Sequence, residues 1–408
     1  MKRVVILCVW LFSVVAGHAQ LSLDECRRLA RENYPEIRQY DLVHQTEQYN
    51  LSNAARAWIP QLAFSAQATW QTDAPNFPKE LTGMLAQQGL EIPGLRKDQY
   101  KVALELNQTI WDGGKSVADK RIARAEAAEQ KTMTDVDLYE LEGRVDDLYF
   151  GILLLDERIA QTNLTLNLLR SNLEKVRALQ RNGVAMQSDA DVLEAELLSV
   201  GQQLIQFESS CDSYRRMLGI FIGQKVGDRK LQHPSAVQPL SGESARPELA
   251  MFAAKIDRLT AQEKMVKSSS MPRLGFFAQG YYGYPGLDYM QSMMNNDWSW
   301  NAMLGVKLSW NFGAYYTQKN NLNKLRTSRQ QVEVQRDVFL FNMNLQAAQE
   351  NGDIARLRKA IADDDRIVAL RRSVREAAES KLRNGIIDTH DLLSKITDES
   401  TASMARSM

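Results

Sequence analysis

Every proline of the chain lies at position 35, 60, 75, 78, 93, 234, 239, 247, 272 or 285, so residues 94–233 and 286–408 contain none. Proline removes a backbone donor and clashes with the preceding turn, and helix interiors therefore exclude it. Stretches this long without it can be helix almost throughout. The apolar residues agree. Leu138, Leu141, Val145, Leu148, Ile152, Leu155, Ile159, Leu166, Leu169, Leu173 and Val176 step by three and four, with Thr162 in one slot. The rhythm resumes at Leu193, Leu197, Val200, Leu204, Phe207, Cys211, Tyr214 and Leu218. A seven-residue apolar period means helices packed along their length. The spacing predicts a helix over 113–180, of order 100 Å long at ~1.5 Å per residue, then a turn at Arg181-Asn182-Gly183 and a second helix over 189–223. Cys211 falls in the seam and reads as a core residue.

Four other segments alternate with period two. Leu62, Phe64, Ala66, Ala68 and Trp70 stand against Gln61, Ala63, Ser65, Gln67, Thr69 and Gln71. Tyr100, Val102, Leu104, Leu106 and Ile110 stand against Lys101, Glu105, Asn107 and Thr109. Leu274, Phe276, Ala278, Tyr282 and Tyr284 oppose Gln279, and Ala302, Leu304, Val306, Leu308, Trp310 and Phe312 oppose Asn301, Lys307, Ser309 and Asn311. Strands are expected at 61–71, 100–110, 273–284 and 301–312. Alternation over roughly ten residues with aromatics towards the ends is what a transmembrane β-strand needs, apolar to lipid and polar to lumen. A half-buried soluble sheet alternates in the same way; export favours the membrane.

Export is written in the first nineteen residues. Lys2 and Arg3 precede the apolar run Val4–Val15, and Gly17-His18-Ala19 offers small residues for cleavage, so residues 1–19 read as a signal peptide. Without Lys2 and Arg3 the chain holds 48 basic and 50 acidic residues, too balanced to seek nucleic acid. GxGxxG, GxxxxGK[ST], GxSxG, CxxC and HExxH are all missing, which argues against nucleotide, hydrolytic, thiol-redox and zinc chemistry. No catalytic residue, metal site or cofactor is expected. Met290, Met293 and Met294 are soft-metal ligand types, but they sit in an exposed connection and read as loop residues. Cys26 and Cys211 could pair in an oxidising compartment, though nothing in the sequence brings them together.

The chain also repeats itself. Pro35-Glu36-Ile37 returns as Pro247-Glu248-Leu249, and Pro60, Leu62, Phe64, Ala66 and Gln67 return as Pro272, Leu274, Phe276, Ala278 and Gln279, all 212 residues later. Arg181-Asn182-Gly183-Val184 and Asp189 return as Arg383-Asn384-Gly385-Ile386 and Asp391, 202 residues later. The connection 72–99 is longer than 285–300, which absorbs the difference. Residues 20–223 form one repeat and 247–408 another, joined by a linker at 224–246. The second repeat is expected to hold a long helix over 314–382 and a final helix over 391–408, about seventeen residues shorter than its counterpart. Gly183 and Gly385 suit the positive φ that ends a helix, and Asp189 and Asp391 suit the start of the next. Four strands cannot close a lipid-facing barrel, because edge strands leave backbone groups unpaired in hydrocarbon. Two copies would supply eight strands, whose interior fills with side chains; three would supply twelve and leave a pore.

Leu21-Ser22-Leu23-Asp24-Glu25-Cys26 through Asn33-Tyr34-Pro35-Glu36-Ile37, Ile59-Pro60-Gln61-Leu62, Ile110-Trp111-Asp112-Gly113-Gly114 and the two Arg-Asn-Gly turns occur in an order that resembles the TolC-type outer-membrane efflux channels over nearly the whole mature chain. The resemblance implies an α+β membrane protein: a homotrimer with four β-strands per chain, a twelve-stranded outer-membrane barrel and a coiled-coil helical barrel in the periplasm of a Gram-negative cell. It further implies a passive exit duct for drugs, toxic compounds or metal ions, served by an inner-membrane pump and a periplasmic adaptor. A type I protein-secretion exit channel and a periplasmic coiled-coil adaptor are the alternatives. By the same resemblance, Arg181, Asn182, Gly183, Asp189, Arg383, Asn384 and Gly385 mark the tip where the adaptor docks, and Asp391 and Asp388 mark the channel entrance. The family's second acidic entrance position is Ser394 here, which sets the entrance apart from the family pattern. His390 beside Asp391 reads as a solvated histidine.

Overall fold

The structure is a computed structural model that describes residues 20–234 and 246–407; the expected signal peptide and much of the expected linker lie outside the described residues. In chain order the elements are α1 (Leu23–Asn33), a 3-10 turn (Pro35–Arg38), α2 (Gln39–Arg56), β1 (Gln61–Trp70), α3 (Lys79–Gln87), β2 (Asp98–Trp111), α4 (Lys115–Arg181), α5 (Gln187–Ile222), α6 (Pro247–Ser268), β3 (Arg273–Tyr284), α7 (Tyr289–Asn295), β4 (Ser299–Ser309), α8 (Ala314–Arg383) and α9 (Thr389–Arg406). The chain divides into two compact units. One comprises residues up to 39 with 133–247 and 337–408; the other comprises 40–132 and 248–336.

The first unit is helical, and its core is the heptad seam. Leu138, Leu141, Val145, Ile152, Leu169, Val176, Leu193 and Leu218 are all buried. Thr162, which interrupts the apolar rhythm, is also fully buried, and its hydroxyl donates to the Arg158 carbonyl at 2.7 Å. The slot tolerates a hydroxyl because a backbone acceptor lies one turn back. Helix α1 is capped by Ser22, whose Oγ accepts the Glu25 N–H at 3.3 Å. It packs Cys26 and Ala30 inward while Arg27 grips Asp146 with two hydrogen bonds of 2.7 and 2.5 Å. Both cysteines are free and buried. Burial, with a small push from Glu25, raises the Cys26 thiol to about 12. Cys211 sits in the seam as expected, beside Arg215 and Asp156 at 3.3 and 3.4 Å.

The second unit is built on a four-stranded antiparallel sheet in the order β1-β2-β3-β4. The middle pair joins the two halves of the chain, with Tyr100 opposite Tyr284 and Leu106 opposite Ala278. The register puts one side-chain set on each face. Leu62, Phe64, Leu104, Val102, Leu304, Val306 and Leu308 are exposed together on the apolar face. Near the end of β2 the register slips between Thr109 and Trp111, so Ile110 is a bulge residue rather than the last member of its alternating row.

Several boundaries differ from the sequence expectations, each for a local reason. Helix α4 starts at Lys115 rather than 113, because Gly113 and Gly114 both adopt positive φ and Asp112 accepts hydrogen bonds from the Gly114 and Ser116 backbone N–H groups at 2.9 and 2.7 Å. β4 stops at Ser309, short of Phe312; the Trp310 indole N–H donates to the Ser270 carbonyl at 3.0 Å instead of standing in the row. The connections expected as plain loops each contain a short helix, α3 and α7. In α7, Asp288 accepts the Gln291 N–H at 3.0 Å and caps the helix that carries the methionines.

Candidate functional site: the two helical turns and the core between them

Both Arg-Asn-Gly turns lie in the first unit, and their backbones are near copies. Gly183 has φ +76° and Gly385 has φ +70°. Val184 N–H bonds the Leu179 carbonyl and Ile386 N–H bonds that of Lys381, at 2.9 and 3.0 Å. Gly183 and Gly385 bond the Gln180 and Leu382 carbonyls at 2.9 and 3.0 Å. This is the Schellman arrangement, which satisfies the last helical carbonyls and needs the left-handed residue that glycine supplies. Nothing lies within 4 Å of where a Cβ would stand on either glycine, so backbone conformation and not crowding selects them.

The next helices begin differently from expectation. Asp189 and Asp391 are not first residues but third helical residues; the caps are Met186 and Asp388. The two repeats then divide the capping work in opposite ways. In the first turn Met186 has no acceptor suited to the role, and Asp189 reaches back to accept the Met186 N–H at 2.8 Å. In the second, Asp388 Oδ1 accepts the Asp391 N–H at 2.8 Å. The Asp391 carboxylate is therefore exposed with no side-chain partner among the described residues, while the Asp388 carboxylate is held as a cap. Arg181, Asn182, Arg383 and Asn384 are exposed, with the Asn384 amide bonded to the Ser380 carbonyl at 3.0 Å. The arginines cap the negative ends of α4 and α8.

Each turn also projects apolar side chains into solvent. Val184, Met186 and Ile386 are 69%, 74% and 68% exposed. The sequence showed their positions but not that the following residue in a Schellman turn would be left uncovered.

Behind the turns, one core joins both hairpins. Leu166, Leu169, Leu173, Val176, Ala190, Leu193 and Val200 from α4 and α5 pack with Ala378, Leu392 and Ile396 from α8 and α9. An ion network flanks it. Arg375 bonds Glu399 at 2.6 Å and Glu379 at 2.7 Å. Lys175 reaches Glu379 at 3.5 Å, and Arg372 bonds Glu399 at 3.3 Å. Burial opposes the charge on Glu379, but the Arg375 hydrogen bond and the Lys175 and Arg375 charges outweigh it and hold the carboxyl below its usual range. This arrangement fixes two hairpins against each other and presents their turns; it gathers no nucleophile, base or metal-ligand set. Among the described residues no group of three or more His, Cys, Asp or Glu could hold a metal ion, and no helix is long and apolar enough to cross a membrane.

Residues 27–223 match the family described as outer membrane efflux protein. The match covers the first repeat, and that part of the chain is similar to the family. That family is one of the outer membrane, and its description names efflux. No curated protein matches it. Solved structures share its fold at low identity. The outer membrane protein VceC of Vibrio cholerae is 14% identical, with TM-score 0.70 over 94% of this chain and 91% of its own. The outer-membrane channel OprN is 14% identical, with TM-score 0.70 over 94% and 85% of the two chains. CusC, 13% identical, matches 95% of this chain and 88% of its own with TM-score 0.70. Alternating strands and heptad helices thus combine in this chain as in those structures.

Proposed function

We propose that three copies of the chain close a twelve-stranded barrel and form the passive outer-membrane duct of a tripartite efflux system, receiving small molecules (drugs, toxic compounds or metal ions) from an inner-membrane pump through a periplasmic adaptor. The observation that carries this reading is the pair of bare sheet edges. β1 and β4 each have a neighbour on one side only, and the face they share is exposed and apolar. In hydrocarbon those edge groups must pair, and pairing with further copies is the closed solution. Eight strands fill their own interior, whereas twelve leave a passage. Helix α8 supports the same association. Val338, Phe341, Leu345, Ile354, Leu357, Ile361, Leu370 and Val374 are exposed along it, a surface that a soluble single chain would not leave bare.

The two repeats, residues 20–223 and 247–408, give each copy two strand pairs and two helical hairpins. The turns at Gly183 and Gly385 are the adaptor-docking tips, with Val184, Met186 and Ile386 as the apolar contacts and Arg181, Asn182, Asp189, Arg383 and Asn384 around them. Asp391 is the entrance charge, and Asp388 holds the backbone that presents it. The test is single-channel conductance of the purified protein in a planar bilayer, with particle mass measured on the same sample. Discrete steps from a three-chain particle are expected. A monomeric particle without steps refutes the proposal.

A further inference from the structure

The polar face of the sheet carries a charge pattern of its own. Register places Gln61, Ala63, Ser65, Gln67 and Thr69 of β1 with Gln99, Lys101, Ala103, Glu105, Asn107 and Thr109 of β2. Arg273, Phe277, Gln279 and Tyr281 of β3 and Asn301, Met303, Lys307 and Ser309 of β4 continue the same face. Its charged members are Lys101, Glu105, Arg273 and Lys307, three cations against one carboxylate. The carboxylate is already engaged. Gln279 donates to Glu105, Lys101 donates to Gln279 Oε1 at 3.0 Å, and the Lys101 ammonium lies 4.6 Å from the Tyr281 ring centroid. That chain neutralises itself.

Arg273 and Lys307 are left over. They stand on adjacent strands, with Arg273 opposite Ser309 and Lys307 opposite Gly275. They are therefore diagonal neighbours on one face, within reach of one another's long side chains. Both are exposed, and neither has a hydrogen-bond or ion-pair partner among the described residues. Both line a cavity of about 560 Å³ together with Glu105, Gln279, Phe277 and Met303. The other carboxylate on that wall, Asp112, is bound to the Gly114 and Ser116 N–H groups. Two like charges side by side repel unless a counter-charge joins them, and no carboxylate of the wall is free to do so. Glycine at 275 and 305 keeps the wall low here; a Cβ on Gly305 would meet the Phe277 ring at 2.9 Å.

We propose that Arg273 and Lys307 form an anion-attracting station on the inner wall of the β-domain, which biases the duct towards anionic solutes. Three copies bring six unpaired cations to one lumen, the arrangement by which Lys and Arg rings select anions in pores. Phe277 and Met303 beside them suit the apolar part of an organic anion. This station is separate from Asp391, which belongs to the other unit and has the opposite sign. The inference rests on the duct reading and deepens it by naming a solute class.

The experiment measures reversal potential of the reconstituted full chain under a potassium chloride gradient, compared with Arg273→Gln/Lys307→Gln, Lys307→Glu and Lys307→Arg. The chloride-to-potassium permeability ratio is expected to fall about twofold or more in the double glutamine variant and further in Lys307→Glu, because the sign of a lumen ring sets ion preference. Lys307→Arg is expected to keep the parental ratio. The difference should shrink in 1 M salt, where the screening length is ~3 Å. Variants whose ratio equals the parent's overturn the station while leaving the duct intact. A parent that gives no conductance overturns the duct reading itself. Particle mass on each variant verifies assembly, and should the double variant not assemble, the ratio in Lys307→Glu decides alone.

Discussion

Removing Arg375 tests how the two hairpins are held. Its side chain is only 13% exposed and bridges Glu379 and Glu399, themselves 17% and 13% exposed, at 2.7 and 2.6 Å. Arg375→Met keeps the aliphatic stem but leaves two carboxylates without their shared cation. Breaking a fully buried pair from one side costs about 3–5 kcal/mol. Lys175 and Arg372 still offer partial compensation at 3.5 and 3.3 Å, and the residual exposure adds screening, so about 2 kcal/mol is expected here. At ~1.4 kcal/mol per tenfold, that is about thirtyfold faster opening. The assay is amide hydrogen exchange across α8 and α9, normalised to intrinsic rates, in the assembled protein. The sign with pH follows from Glu379. Its folded pKa lies below the unfolded value, so the parent's contribution is present above the unfolded pKa and is lost as pH falls through the folded one. In Arg375→Met the Glu379 carboxylate loses its main partner while burial still opposes its charge, so acid relieves the variant while it weakens the parent. The gap should be widest at neutral pH and narrow towards pH 4. Arg375→Met/Glu379→Gln, which removes one of the stranded charges, should recover part of the loss. Equal exchange in parent and variant at pH 7, or a gap that widens on acidification, refutes the reasoning.

Asp388→Ala should cost about 1 kcal/mol of stability at the start of α9, as loss of an N-cap acceptor does, read as faster exchange at Thr389 to Leu393. Asp391→Ala should leave that exchange unchanged, since its carboxylate holds nothing, yet lower cation permeability at the entrance. Val184→Asp with Ile386→Asp should abolish binding to the cognate adaptor in pull-down while single-channel conductance stays at the parental value. Cys26 and Cys211 should resist maleimide in the native protein, because burial raises both thiols, Cys26 to about 12; both should react after denaturation. Native labelling of Cys26 would show that α1 is not packed as described.

What the sequence disclosed depended on the range of the interaction. The seam of α4 and α5 was legible because each buried leucine is selected by its own position in a period, and Thr162 broke the period without breaking the helix. Strand faces were legible for the same reason. The bulge at Thr109–Trp111 was not, since a one-residue slip depends on the partner strand and leaves no mark in β2 itself. Helix α3 was hidden inside a connection rich in proline and glycine, and α7 inside one too short to show a helical period. The anion station needed register. Lys307 was visible as a polar residue, but its nearness to Arg273 and the occupation of Glu105 by Gln279 are cross-strand facts.

The two turns carry the larger consequence. The repeat of Arg-Asn-Gly and of an aspartate six residues on invites the conclusion that both turns work alike. Their helix starts contradict it. At the position where the second repeat has Asp388, the first has Met186, and that one difference reverses the flow of capping. Asp189 turns back to serve the backbone N–H of Met186, which fixes where its carboxylate stands. Asp388 serves the backbone of Asp391, and the charge of Asp391 is released into solvent. One turn therefore keeps an apolar tip with a satisfied carboxylate, and the other keeps an apolar tip with a free one. Duplicated backbone leaves the two turns alike in shape, while only the second leaves its third helical aspartate without a partner for its carboxylate among the described residues. If that division is correct, Met186→Asp should free Asp189 from its capping duty and give the first turn the second's electrostatics. The entrance should then become more cation-selective without any change at Asp391. An unchanged permeability ratio in Met186→Asp would show that the first turn does not face the passage, and would leave the entrance to Asp391 alone.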